Sequence, residues 1–303
     1  MIEFPKLTGG KLLNRLAHPA GKVRAVLDTD TFNEIDDPFA VVYALKSPES
    51  LTVEAFYAAP FHNEHSDSPG DGMEKSYWEL HKIRELLPEA SGIPICRGAV
   101  SYLPGPAMPA PSEAARDLVD RAMASADDDP LYVLAIGAIT NVASAIMLEP
   151  RIMEKIIVVW LGGHALHWPH TREFNMCQDL HASRLVLHCG VPLVLIPCMG
   201  VASHLQTTLS ELNDHIRNKG FLGQYLYETF RGCASEHTAY SRVIWDMSAI
   251  AYLVNPAWLP SSIVHSPVLS EDFRWSFDTS RHWLRYVQYV QRNDIFKDFF
   301  AKL

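Results

Sequence analysis

Residues 23–45 read VRAVLDTDTFNEIDDPFAVVYAL, and their pattern is the clearest indication of the fold class. The stretch opens with an apolar run at residues 23–27 that is typical of a buried strand. Five acidic residues follow within ten positions, and Pro38 then stands where the first turn of a helix accepts proline. A strand, an acidic loop and a helix in this order predict one unit of an α/β fold. We expect the acidic loop at the carboxyl edge of a parallel sheet, where such folds bind their ligands.

The same alternation of strand and helix patterns continues along the chain. Further strands are predicted at residues 51–58, 131–136, 156–161 and 191–196, and helices at residues 38–45, 74–87, 113–125, 141–148 and 180–188. The strands are almost continuously apolar, as a parallel sheet covered on both faces requires. We therefore predict a mainly parallel central sheet flanked by helices. A proline-rich stretch is interpreted as a surface loop rather than a linker, so residues 1–303 are expected to form a single domain, with C-terminal helical segments contributing to the site.

The charge of the chain excludes several kinds of partner. Its 26 Lys and Arg residues stand against 35 Asp and Glu residues, and the formal net charge is -9. Binding to nucleic acid or to an anionic membrane needs a basic surplus, so neither is expected. The start of the chain lacks the pattern of a secretory signal, and the five cysteines form no CxxC pair. These features predict a cytoplasmic protein that acts on a small molecule.

The acidic loop predicts a metal site. Its members are Asp28, Asp30, Glu34, Asp36 and Asp37. Helix capping by Asp37, with Asp36 near the positive end of the helix, accounts for only one or two of them. Several carboxylates packed together repel one another unless a cation neutralises them. Oxygen ligands of this kind suit Mg²⁺ or Ca²⁺, and a chelate of several carboxylates favours Ca²⁺.

Four segments, in order, resemble the inosine-uridine-preferring nucleoside hydrolase family. Residues 23–45 resemble its DxDPGxDDAxA signature, although Thr-Phe-Asn-Glu replaces Pro-Gly and lengthens the loop by two residues. The other three are residues 134–145 (LAIGAITNVASA), 158–175 (VVWLGGHALHWPHTREFN) and 242–253 (RVIWDMSAIAYL). The resemblance implies a nucleoside-hydrolase-like (Rossmann-like) fold and Ca²⁺-dependent hydrolysis of ribonucleosides to free base and ribose. It also implies a role in purine or pyrimidine salvage and a homo-oligomer, either a dimer or a tetramer.

The resemblance implies a role for each matching residue. Asp30 would be the catalytic general base, and the metal ligands would be Asp30, Asp37, the carbonyl of Ile136, and Asp246. The ribose would be bound by Asp36, Asn63, Glu173 and Asn175. Asp28 is expected to support this site without touching the substrate.

The group that assists the departing base is not assigned by the resemblance. The family commonly has a histidine before its late aspartate, but Trp245 stands there. Trp168 stands roughly where some members carry an asparagine. Either indole could stack on a base, and packing of Trp245 in the core is an equally open interpretation.

Three histidines, His164, His167 and His170, have the spacing H-x-x-H-x-x-H. Three histidines can bind catalytic zinc, but Pro169 breaks helical spacing here. Lining of the substrate pocket is the favoured interpretation. His164 or His167 is also a candidate proton donor, because imidazole titrates near neutrality.

Two rival functions remain open from the residues alone. Residues 28–31 (DTDT) also fit the DxDxT motif of Mg²⁺-dependent haloacid-dehalogenase phosphatases, with Asp28 as nucleophile and Asp30 as acid/base. That interpretation leaves residues 158–175 and 242–253 without a role. A non-catalytic nucleoside- or ribose-binding homologue is the second rival, suggested by Trp245.

Overall fold

The computed structural model describes residues 2–303. Its strands are β1 (Val23–Thr29), β2 (Leu51–Ala58), β3 (Ile95–Arg97), β4 (Leu131–Ala135), β5 (Ile156–Leu161), β6 (Leu193–Ile196), β7 (Gln206–Thr207), β8 (Arg242–Val243), β9 (Ser261–His265), β10 (Val268–Leu269), β11 (Trp275–Ser276) and β12 (Trp283–Val287). Its α-helices are α1 (Gly9–Arg15), α2 (Asp36–Leu45), α3 (Pro69–Leu86), α4 (Glu113–Ala124), α5 (Thr140–Leu148), α6 (Phe174–Gln178), α7 (Leu180–Cys189), α8 (Leu209–His215), α9 (Gly220–Gly232), α10 (Met247–Val254) and α11 (Arg292–Lys302). Within the described residues, no helix is both long and apolar enough to cross a membrane.

Eight of the strands form the central sheet, in the order β3-β2-β1-β4-β5-β6-β12-β9. All neighbouring pairs are parallel except β12 and β9 at one edge. The predicted fold class, a mainly parallel sheet flanked by helices, is therefore confirmed. From β1 the chain proceeds outward through β2 and β3, and then returns to the other side of β1 as β4. The strand order reverses there, and ligands of open α/β sheets bind in the crevice at such a point.

The core lies on both faces of the sheet. Successive residues of a strand point to opposite faces, and Val159 and Trp160 of β5 accordingly belong to two different hydrophobic clusters. Helices α2, α10 and α11 cover one face and α4, α5 and α7 cover the other. Burial on both faces explains why the central strands are almost continuously apolar.

The predicted elements agree with the structure to within about two residues at each end, except at the start of one helix. The helix predicted at residues 74–87 begins at Pro69, because the Ser68 side chain caps it by accepting a hydrogen bond from Asp71 N. The strand predicted at residues 191–196 begins at Leu193, directly after a proline that has no N–H to donate.

Asn141, a buried residue in the first turn of α5, connects the ends of three strands. Its Nδ2 donates to Asp28 Oδ1 at 2.8 Å and to the carbonyl of Ala58 at 3.3 Å. Its Oδ1 accepts from Ala99 N at 2.8 Å, in the loop that follows β3. The neighbouring Gly98 has no room for a side chain, since a Cβ there would lie 1.9 Å from the Ala58 carbonyl oxygen.

We expect Asn141→Ala to lower the free energy of unfolding by about 2–3 kcal/mol, because it leaves buried groups of Asp28 and Ala99 unpaired. Chemical denaturation measures the change. Asn14→Ala, on the exposed face of α1, is the matched control and should change stability by less than about 0.5 kcal/mol. Equal stability of the two variants would contradict this role for Asn141.

Candidate active site

A cavity of about 290 Å³ lies at the carboxyl edge of the sheet. It opens where β1, β4, β5 and β6 end, across the point at which the strand order reverses. Its lining residues are Asp30, Asn33, Glu34, Asp36, Asp37, Ile136, Leu161, His164, Arg172, Glu173, Phe174, Asn175, Cys198, Met199, Trp245 and Asp246. The cavity thus brings together residues from all four of the sequence segments singled out above.

One wall of the cavity is a cluster of buried carboxylates. Oxygen atoms of Asp36, Asp37 and Asp246 lie within 4.8 Å of one another. Asp30 is also buried, and neither of its carboxylate oxygens has a hydrogen-bond partner among the described residues. Gly137 is close to this group, since a Cβ at Gly137 would lie 2.9 Å from Asp30 Oδ1.

The carboxylates are held by contacts outside the cluster. Helix α2 begins at Asp36, and the capping position is occupied by Ile35, which makes no side-chain cap. Capping by Asp37 is therefore not observed. Instead, Asp37 Oδ1 accepts a hydrogen bond from Thr29 Oγ1 at 2.5 Å.

A salt bridge connects the acidic loop to the distant segment that carries Asp246. Arg242 Nη2 donates to Glu34 Oε2 at 2.8 Å, across 208 positions of sequence. Asp246 follows four residues later, at the start of α10. This contact fixes the fourth carboxylate beside the other three.

Burial raises the pKa of every carboxyl in the cluster. Burial is the largest cause of the raised pKa values of Asp30, Asp36 and Asp246, and neighbouring carboxylates add to it. Burial also raises the pKa of Asp37 to about 7, against the hydrogen bond from Thr29. A divalent cation would offset this repulsion, and the unpartnered oxygens of Asp30 are suitable ligands. The donor set therefore fits a hard metal ion.

Ile136 lines the cavity, and its carbonyl is held by Asn175. Asn175 Nδ2 donates to this carbonyl at 3.2 Å and to the carbonyl of Leu161 at 3.1 Å. Asn175 thereby fixes the direction of the Ile136 oxygen, while its own Oδ1 makes no hydrogen bond within residues 2–303.

Glu173 is the N-cap of α6, and backbone groups hold its carboxylate. Its Oε2 accepts from Gly163 N at 2.8 Å and Met176 N at 3.0 Å, and its Oε1 accepts from Asn175 N at 2.8 Å. Burial raises the pKa of Glu173, and these hydrogen bonds oppose that shift.

The remaining residues singled out from the sequence lie at different places. Trp245 lines the cavity and also packs against the core, so both interpretations of it have a structural basis. Asn63 lies behind the wall and donates to Asn33 Oδ1 at 2.6 Å. Trp168 is outside the lining, and its ring is edge-on to that of His164, 6.3 Å away. His167 is exposed and also outside the lining.

Six lining residues were not assigned to the site from the sequence: Asn33, Leu161, Arg172, Phe174, Cys198 and Met199. Cys198 and Met199 directly follow the Ile196-Pro197 end of β6, and their position after a strand was the available signal. Asn33 and Arg172 carry no such signal. Whether they reach the cavity depends on the paths of the loops.

Comparison with known proteins gives one family. The sequence model described as inosine-uridine preferring nucleoside hydrolase matches residues 25–285. The pyrimidine-specific ribonucleoside hydrolase RihA of Escherichia coli (strain ED1a) is 29% identical over 184 residues, which are 53% of this chain and 56% of that protein. RihA of Salmonella arizonae is 29% identical over 194 residues, covering 56% and 58%. The chain spans about half the length of the curated relatives it matches.

Solved structures share the fold over most of the chain. A plant nucleoside hydrolase has a TM-score of 0.71 at 18% identity, covering 94% of this chain and 99% of that one. The purine-preferring ribonucleoside hydrolase from Gardnerella vaginalis has a TM-score of 0.73 at 18% identity, covering 92% and 97%.

We expect a divalent cation to stabilise the chelator-treated protein. Binding at a hundred times its dissociation constant contributes about 2.7 kcal/mol, or about 5 °C in Tm for a chain of this size. Asp246→Asn should raise the Tm without cation, because it removes one repelling charge, and should reduce the shift caused by the cation. Thermal unfolding measures both effects. The exposed Asp128→Asn variant is the control and should behave as the wild type.

Proposed function

Because the chain belongs to the inosine-uridine preferring nucleoside hydrolase family, we propose that it hydrolyses the N-glycosidic bond of ribonucleosides, giving free base and ribose. The observation that carries this proposal is the convergence of the carboxylate cluster, the Ile136 carbonyl and the Glu173–Asn175 segment on one cavity. These groups come from distant parts of the sequence, and only the nucleoside hydrolase interpretation uses all of them.

In this reaction a water molecule attacks C1′ of the ribose through an oxocarbenium-like transition state. Asp30 is the proposed general base that accepts the proton of that water. Its oxygens have no competing hydrogen bond within the described residues, so the carboxylate is available to accept that proton. A bound divalent cation would lower the pKa of water and orient the hydroxyls of the sugar.

The sugar is proposed to bind through Asp36, Glu173 and Asn175, with Asn63 acting through Asn33. Asn175 Oδ1 is available as an acceptor, since both hydrogen bonds of this side chain are donated by Nδ2. Glu173 Oε1 accepts one backbone hydrogen bond and can accept a second from a ribose hydroxyl. These hydrogen bonds fix the side chains in the folded protein, so substrate binding loses little further side-chain conformational entropy.

The metal is proposed to be Ca²⁺, held by Asp30, Asp37, Asp246 and the Ile136 carbonyl. Several carboxylates with one carbonyl are ligands that Ca²⁺ accepts at high coordination number, whereas Mg²⁺ retains more of its water. The family resemblance further supports a homo-oligomer that acts in nucleoside salvage in the cytoplasm.

The phosphatase alternative is not favoured. It needs Asp28 as a nucleophile, but Asp28 lies outside the lining of the cavity and Asn141 Nδ2 binds its Oδ1. Burial raises the pKa of Asp28 to about 7, against that hydrogen bond. A nucleophile must reach its substrate, and this carboxylate does not.

We expect wild-type protein to release reducing sugar from members of a panel of purine and pyrimidine nucleosides. Chelator should abolish the release, Ca²⁺ should restore it, and nitrophenyl phosphate should stay intact. Asp30→Asn should lower kcat at least about 1000-fold, because it removes the general base. The control is Asp128→Asn, which makes the same change of side chain at an exposed position and should leave kcat unchanged. Full activity of Asp30→Asn would contradict the mechanism, and Ca²⁺-dependent nucleoside binding without turnover would support a binding protein instead.

A further inference from the structure

On the basis of the proposed function, we infer that His164 stabilises the departing base as an anion by donating a hydrogen bond from a neutral imidazole. The leaving-group role that the family usually gives to a proton-donating histidine before the late aspartate is thereby taken by an uncharged donor in the loop after β5.

The surroundings of His164 select one tautomer. Its Nδ1 accepts a hydrogen bond from Met199 N at 3.4 Å, so the ring proton resides on Nε2. Burial lowers the pKa of His164, and the nearby His170 lowers it further. The ring is therefore neutral at pH 7, with Nε2–H as its only donor.

The residue is also held in place. His164 N donates to Thr171 Oγ1 at 2.9 Å, and the His164 carbonyl accepts from Trp275 Nε1 at 3.0 Å. His164 is buried and lines the cavity, and the backbone groups of Gly163 and Arg172 near its ring only partly oppose the lowered pKa, so Nε2–H remains available to a ligand. A fixed donor in a ligand cavity is suited to a group of the ligand.

His164 lies on the β5 side of the cavity, next to the proposed ribose-binding residue Glu173, whose Oε2 accepts a hydrogen bond from Gly163 N. Asp30 follows β1, and His164 follows β5, two places away in the sheet order. Neighbouring strands lie about 4.8 Å apart, so the two residues are separated by about 10 Å along the edge of the sheet. A ribose held between the carboxylates and Glu173 would direct its base past Glu173, toward His164 and the end of β6.

Arg172 adds positive charge to the same part of the cavity. It lines the cavity, and its guanidinium lies 5.5 Å from the ring centroid of Phe273. No carboxylate of the described chain lies within ion-pair distance of it, in contrast to Arg274, which pairs with Asp272. An unpaired cation favours the release of the base as an anion.

The step balances without a general acid. The C1′–N bond breaks and its electron pair leaves with the base nitrogen, while water oxygen forms the new bond to C1′ and its proton goes to Asp30. The anionic base accepts the Nε2–H hydrogen bond as charge develops, and it takes a proton from solvent after release. His164 neither gains nor loses a proton.

The test compares two kinds of leaving group in His164 variants. Nucleosides release a basic anion that needs stabilisation, whereas nitrophenyl riboside releases a weakly basic nitrophenolate. His164→Ala should lower kcat for nucleosides about 100-fold and leave nitrophenyl riboside nearly unchanged. His164→Gln places an amide N–H near the position of Nε2 and should retain at least about a tenth of the nucleoside activity. Arg172→Gln should lower nucleoside turnover in the same selective way.

His167→Ala is the control, since His167 is exposed and lies outside the cavity. Equal losses on both substrates in His164→Ala would overturn the inference, because a structural role affects both. Loss in His164→Gln as deep as in His164→Ala would also overturn it, because proton transfer cannot be rescued by an amide. Wild-type protein that cleaves neither substrate would overturn the proposed function itself, and the inference with it.

Discussion

Four carboxylates are buried together at one edge of the sheet, where they repel one another. The contacts around the cavity act against this repulsion. Groups that destabilise one another must be held by contacts from outside, and two such contacts are present. Thr29 holds Asp37, and the Arg242–Glu34 salt bridge brings the segment of Asp246 to the loop. The crevice where the strand order reverses supplies the space, because the chain crosses to the other side of β1 there. The same repulsion creates the demand for a cation.

Much of the fold could be predicted from the sequence, because the central strands are buried on both faces and their apolarity is nearly unbroken. The edge formed by β12 and β9 was not found, since β12 (WLRYV) is interrupted by Arg285 and pairs with strands distant in sequence. Strands of this kind are specified by long-range pairing rather than by local pattern. The start of α3 was misplaced for a different reason, since the cap made by Ser68 lies in a segment that resembled a loop.

The features of the candidate site likewise fall into two groups, those that a sequence segment indicates and those that depend on contacts between distant segments. The acidic loop was indicated by a local feature, its position directly after a strand, whereas Asp246 and the Glu173–Asn175 segment were expected from the family resemblance. The bonds of Asn175 Nδ2 to two carbonyls, and the bond of Met199 N to His164, depend on how separate loops meet. No pattern within one segment encodes such contacts. The part of the cavity that would meet the base is therefore the part that the sequence left unassigned.

The separation of Asp246 from the acidic loop in sequence has a consequence for folding. Three members of the carboxylate cluster lie within residues 30–37, whereas the fourth comes from the start of α10, more than two hundred positions later. An unfolded chain offers a cation only the local fragment of the site, and closing the long loop between the two parts carries an entropic cost. A cation that needs Asp246 as well as carboxylates of the loop discriminates between folded and unfolded chains, and mass action then favours the folded state. Metal supply would thus set the fraction of chains that remain folded, as well as the fraction that are active.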